Sequence, residues 1–157
     1  MTNERQRRAV DPTALRVGSG RGAVWNGIDS SAFLAFFFGE PGQELVSRLL
    51  SDEAAEVGVS ALTSLEVWAR LKAEGRPESF EREWNEHLPL FEAVVAVDAE
   101  VCGRAVEIRA ATRERLPTID AVIAASASVH DAILVHRDPH FRAIPARFLK
   151  QEFLPNR

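Results

Sequence analysis

At 157 residues, with 46% hydrophobic and 27% charged positions, the chain is long enough for one hydrophobic core and reads as a single globular domain. Its net charge of −4 excludes polyanion binding through bulk charge, so a nucleic-acid ligand needs a local basic surface or metal ions bridging phosphates to acids. The single cysteine, Cys102, excludes an intrachain disulfide, and no stretch reaches the roughly 18 apolar residues of a membrane helix, so a cytoplasmic protein is expected.

In chain order, residues 1–22 contain Arg and Gly with little periodicity and are expected to form a flexible tail before a domain over residues 23–157. An RNA-contacting arm or a start set too early are the other readings of that segment. Residues 23–31, A-V-W-N-G-I-D-S-S, predict a short strand ending on Asp29, with two hydroxyls at once after it. A Phe-rich helix follows to Phe38 and is closed by Gly39. Its four Phe within six positions predict cover, either from the sheet and the next helix or from a partner. Residues 43–50 carry Leu45, Val46, Leu49 and Leu50 at helical spacing.

A second strand is predicted over residues 54–60, then a helix whose Leu62, Leu65, Trp68, Ala69 and Leu71 form one apolar stripe, with Glu66 beside it near the helix start. A lone Glu there is ordinarily a dipole-complementing surface acid. Gly75-Arg76-Pro77 breaks that helix, and Phe80, Trp84 and Leu88 mark another. Residues 93–97 are an apolar run of the kind a strand buried on both faces requires. Asp98 reads as the N-cap of a long helix through Arg113. Within that helix Cys102, beside Val101, Ala105 and Val106, is expected to be buried. Its arginines, diluted by Glu100, Glu107 and Glu114, give only a weak basic patch.

After Leu116-Pro117-Thr118 a helix rich in small residues carries Asp120 in its first turn. A strand from Ala132 to His136 leads into R-D-P-H-F, which contains Asp138, and the C-terminal residues alternate as a final edge strand does. Strand and helix alternate throughout, which predicts a three-layer α/β/α fold around a mainly parallel sheet of four to five strands. In that geometry strand ends and helix starts share one edge, so Asp29, Glu66, Asp120 and Asp138 can converge on one rim. Packed carboxylates raise one another's pKa unless a cation lies between them, and hard ions such as Mg²⁺ or Mn²⁺ suit an all-carboxylate site. No zinc cluster, phosphate-binding glycine loop or hydrolase elbow is present in the sequence.

Four ordered segments carry a resemblance: I-D-S-S-A-F-L-A-F-F-F-G-E-P-G, S-A-L-T-S-L-E-V, L-P-T-I-D-A-V-I-A-A-S-A and A-I-L-V-H-R-D-P-H-F. Together they resemble the signature segments of PIN-domain proteins, and most closely the VapC toxins of VapBC toxin–antitoxin modules. The resemblance implies a Mg²⁺- or Mn²⁺-dependent endoribonuclease, with Asp29, Glu66, Asp120 and Asp138 as metal-binding catalytic acids and Ser30 as the supporting hydroxyl. It also implies an RNA substrate, a cognate VapB-like antitoxin and a homodimer. An RNA-processing PIN nuclease outside a toxin system is the second reading, and a non-catalytic binding module the third. Three features depart from the pattern: the W-N-G of the first strand, His136 where a hydroxyl is frequent, and Asp131 at a glycine-like turn. His136 reads as a strand-end structural residue, and His140 and Arg142 as contacts for an RNA backbone.

Overall fold

The computed structural model describes residues 25–154, so the expected tail over residues 1–22 lies outside the described residues. Five strands form one sheet: β1 (Trp25–Ile28), β2 (Glu56–Ser60), β3 (Ala93–Val95), β4 (Ile133–His136) and β5 (Lys150–Phe153). Their order is β3-β2-β1-β4-β5, and every neighbouring pair is parallel. Helices α1 (Ser30–Phe37) and α2 (Gln43–Ser51) follow β1, and α3 (Thr63–Ala73) and α4 (Phe80–His87) follow β2. Helices α5 (Ala99–Ala111) and α6 (Thr118–Val129) lie between β3 and β4. The three-layer α/β/α fold is therefore present, with a sheet of five strands that is parallel throughout.

Alternation along each strand divides the core in two. Ile28, Val57, Val59 and Val135 point to one face, where they meet Phe33, Val46, Leu50, Val67 and Leu71. Val95 and Leu134 belong to the other, with Val101, Ala105 and Ile108 of α5 and the alanines of α6. Asp98 caps α5 by accepting the Val101 N–H at 3.0 Å. Gly39, at φ +66°, ends α1 in the left-handed conformation, and Asp131 at φ +51° makes the turn into β4.

The W-N-G of β1 has a packing reason. A Cβ on Gly27 would stand 3.3 Å from the Ala127 Cβ of α6 and 3.6 Å from Leu134 Cδ1. The glycine and the small face of α6 together let the helix lie close on the sheet. Gly27→Val is expected to destabilise the fold by ~1–3 kcal/mol through overpacking, read by urea denaturation. Gly27→Ala, which needs only a slight shift of Ala127, should cost clearly less.

Two expectations are overturned. In α3 the buried positions are Thr63, Val67 and Leu71, whereas Leu65 is 57% and Trp68 39% exposed. The chain leaves β2 with Thr63 against the core, and the helical repeat carries that face to Val67 and Leu71. The bulkier apolar residues fall outside, where the Lys72 ammonium lies 5.0 Å from the Trp68 ring centre. Cys102 is exposed rather than buried. Helix α5 turns Val101, Ala105 and Ile108 inward, so Cys102 and its i+4 neighbour Val106 face out.

The Phe-rich α1 finds its cover within the chain. The fully buried Phe33 ring meets Trp84, His87 and Phe91 at 5.9, 5.7 and 5.6 Å. Phe37 lies 4.9 Å from the His87 ring, and Phe38 is faced by the guanidinium groups of Arg70 and Arg76.

Candidate active site

From the central β1 the chain builds outward to β2 and β3, then crosses back to place β4 on the other side of β1. The carboxyl ends of β1 and β4 therefore flank the switch point at which open parallel sheets bind ligands. Asp29 is the residue after β1, and Asp138 stands two residues after β4. Glu66 lies in the first turn of α3, which follows β2. Asp120 lies in the first turn of α6. Because α6 runs directly into the start of β4, its own first turn is carried back to the edge where β4 ends.

Asp29 is only 2% exposed. It caps α1, its Oδ1 accepting the Ala32 N–H at 2.8 Å. The Ser31 hydroxyl donates to this carboxylate, lying 2.8 and 2.9 Å from its two oxygens, and accepts the backbone N–H of Arg137 at 3.0 Å. One hydroxyl thus ties the end of β1 to the segment after β4. Ser30, expected to support Asp29, is buried as the first residue of α1, and the contact falls to Ser31 instead. A capping carboxylate folds back over the second and third helical residues, here Ser31 and Ala32, and not over the first. The sequence carried this signal in its second serine.

Burial pushes Asp29 up from 3.8 to about 7, against the opposing donors Ala32 and Ser31, and the negative charge of Glu66 adds to the rise. Burial also raises Asp120, to about 6, helped by the charges of Asp138 and Glu66 and opposed by His140. Glu66 is therefore the acid whose field reaches both Asp29 and Asp120. Its Oε2 is buried without a hydrogen-bond partner. Asp120, Asp138 and His140 offer ligand atoms that all lie within 4.8 Å of one another. Such a set of packed carboxylates, with Asp29 and Asp120 raised and one oxygen of Glu66 orphaned, fits a divalent cation.

The basic side chains around the acids divide by role. His140, expected to face an RNA backbone, turns into the acids instead: its Nδ1 stands 3.0 Å from Asp138 Oδ1 and 3.4 Å from Asp120 Oδ2. Arg137, which no sequence pattern singles out, binds Glu40 Oε2 and the Pro41 carbonyl, each at 3.1 Å. The other oxygen of Glu40 accepts from Arg70 of α3 at 3.0 Å. That network braces the segment carrying Asp138 against the α1–α2 turn and α3. Arg142, also read as an RNA contact, lies over the Phe153 ring at 3.7 Å. His136 is fully buried between the rings of Phe141 and Phe153, with Nε2 3.0 Å from Gln151 Oε1. Burial holds its pKa below the ordinary value, so it is a neutral core residue.

Removing the Ser31 hydroxyl leaves the half-buried Arg137 N–H and the buried Asp29 carboxylate each short of a partner. Ser31→Ala should cost ~1–3 kcal/mol of stability in chemical denaturation, and Ser31→Thr should retain most of it.

A comparison with curated proteins finds no match. Among solved structures, the fold is similar to VapBC2 from Rickettsia felis, bound to a DNA fragment from its promoter: TM-score 0.69, 16% identity, covering 84% of this chain and 100% of that one. DNA-bound VapBC from Salmonella typhimurium gives 0.67 and 17%, covering 83% and 98%. FitAcB from Neisseria gonorrhoeae gives 0.64 and 21%, covering 80% and 94%. At these identities the likeness is one of fold. The family model described as PIN domain matches residues 28–147, from the last residue of β1 past all four acids. The chain belongs to the PIN-domain family.

Proposed function

We propose that this protein is a metal-dependent endoribonuclease and the toxin of a VapBC-type toxin–antitoxin module. The observation that carries the reading is the electrostatic arrangement at the switch point, where Glu66 acts on both Asp29 and Asp120 and Asp138 acts on Asp120. PIN domains are nucleases and generally depend on divalent metals. Asp29 and Asp120 are the most direct ligands, and Glu66 and Asp138 hold a second ion or orient waters. A bound Mg²⁺ or Mn²⁺ supplies an activated water and neutralises charge on the scissile phosphate. Ser31 fixes the Asp29 carboxylate, Ser30 lies buried beside it, and no side chain serves as nucleophile.

The two VapBC structures named above are toxin–antitoxin complexes, which supports a VapB-like antitoxin as partner. A homodimer is expected from the family resemblance. Among the described residues no helix is long and apolar enough to cross a membrane, in keeping with a cytoplasmic enzyme acting on cellular RNA. The test is incubation of the purified protein with total RNA in Mg²⁺, Mn²⁺ or EDTA, followed by mapping of the new ends. Discrete ends in the metal samples alone are the expected result. RNA left intact under every metal condition would overturn the nuclease assignment.

A further inference from the structure

We infer that His140 is a nitrogen ligand of the metal site and biases it towards Mn²⁺ over Mg²⁺. The inference rests on the carboxylate–metal reading above and extends it to the ion. Its geometric basis is that the Nδ1 edge of the ring, and not only the carboxylates, turns into the cluster. Nδ1 lies 3.0 Å from Asp138 Oδ1 and 3.4 Å from Asp120 Oδ2. Ligands at about 2.1 Å from an octahedral ion stand about 3 Å apart at neighbouring corners; the Nδ1–Asp138 separation matches that spacing and the Nδ1–Asp120 separation comes close to it.

The position of His140 is set by its backbone. Asp138 accepts the His140 N–H at 2.8 Å and caps the short 3-10 turn Pro139–Ala143. Pro139 fixes the first step of that turn, so Asp-Pro-His delivers a carboxylate and an imidazole to one point without reordering the chain. A simple ion pair is a weaker account of the arrangement. The His140 side chain is 51% exposed, and an exposed pair of this kind contributes little stability.

Ligand chemistry then decides the ion. Carboxylates serve Mg²⁺ and Mn²⁺ alike, whereas imidazole suits transition ions, and of these two carboxylate-compatible ions only Mn²⁺ is a transition ion. A site of Asp29, Glu66, Asp120 and Asp138 would discriminate weakly between the two ions. His140 adds a donor that Mg²⁺ uses poorly.

The test uses the full chain, freed of metal, titrated separately with Mn²⁺ and Mg²⁺ by calorimetry, alongside His140→Gln and His140→Ala. The substitutions should weaken Mn²⁺ binding by at least about tenfold, the scale on which even outer partners of a metal ligand act, and leave Mg²⁺ affinity within about twofold. Electron spin-echo modulation of bound Mn²⁺ should show an imidazole nitrogen coupling in the parent that is lost in both variants. Mn²⁺ bound in an Asp120-dependent way without that coupling, or with an unchanged Mn²⁺/Mg²⁺ ratio, overturns the role of His140 and leaves the carboxylate site standing. Absence of any divalent-ion binding overturns both. Thermal melts of the variants at the parent's midpoint would exclude misfolding as the cause.

Discussion

Asp120→Asn and Asp29→Asn should each lower RNA cleavage by about a thousandfold, a loss of ~4 kcal/mol in transition-state stabilisation. Both replacements keep the shape of the side chain and remove its charge. At position 29 the amide oxygen can still accept the Ala32 N–H, so the cap on α1 survives. At position 120 no capping bond is at stake, because the side chain does not cap α6. The loss then reports on charge delivered to the reacting phosphate and its ions, not on folding. Asp138→Asn and Glu66→Gln should cost less, about 10- to 100-fold, since these acids complete or orient the site. Cleavage by Asp120→Asn within a few-fold of the parent would remove the carboxylates from the mechanism.

Metal-free protein should lose stability as pH rises, the reverse of common acid denaturation. The folded state holds the Asp29 proton up to about pH 7 and the unfolded chain releases it near the ordinary 3.8. The folded state thus binds more protons between those values, and stability falls with pH across that window. It is fully present below about pH 4 and lost as pH passes 7. Asp120, raised to about 6, acts in the same direction over a narrower range. Asp29 alone accounts for on the order of 4 kcal/mol over the whole window at 1.36 kcal/mol per pKa unit, of which about 3 kcal/mol falls between pH 5 and pH 8 and corresponds to a melting point roughly 5–10 °C lower at pH 8. Divalent ions bind the ionised form, so Mn²⁺ should restore the melting point at pH 8 far more than at pH 5. Asp29→Asn in EDTA should flatten the curve. A parent protein that gains stability from pH 5 to pH 8 in EDTA would contradict the electrostatic account.

Much of the fold and the site is legible in the sequence because local rules and tertiary demands agree. Buried strands read as apolar runs, Asp98 announces a cap, and the acids fall where strands end and helices begin. Where the two disagree, the sequence misleads. Leu65 and Trp68 look like core in any apolar stripe, yet the exit from β2 turns Thr63, Val67 and Leu71 inward. The same turn sets Glu66 on the flank of the buried face. Cys102 takes its expected burial from Val101 and Ala105, which point the other way around α5, whereas Val106 faces out with it. The brace between Arg137 and Glu40 joins residues 97 positions apart, and no local pattern encodes such a pair. His140 reads as a contact for RNA, but its approach to Asp120 depends on how α6 meets the end of β4. Gly27 reads as a weak point of β1 until α6 is in place: a Cβ there would stand 3.3 Å from the Ala127 Cβ.

The central claim is that Asp29, Glu66, Asp120 and Asp138 share divalent ions at the end of β1 and β4. The most direct test is an anomalous difference map from crystals of the protein soaked in Mn²⁺. The account predicts a peak bonded by Asp29 and Asp120, with Glu66 and Asp138 beside it at the switch point. A map with no peak among these four carboxylates, at Mn²⁺ concentrations that support RNA cleavage, would contradict it.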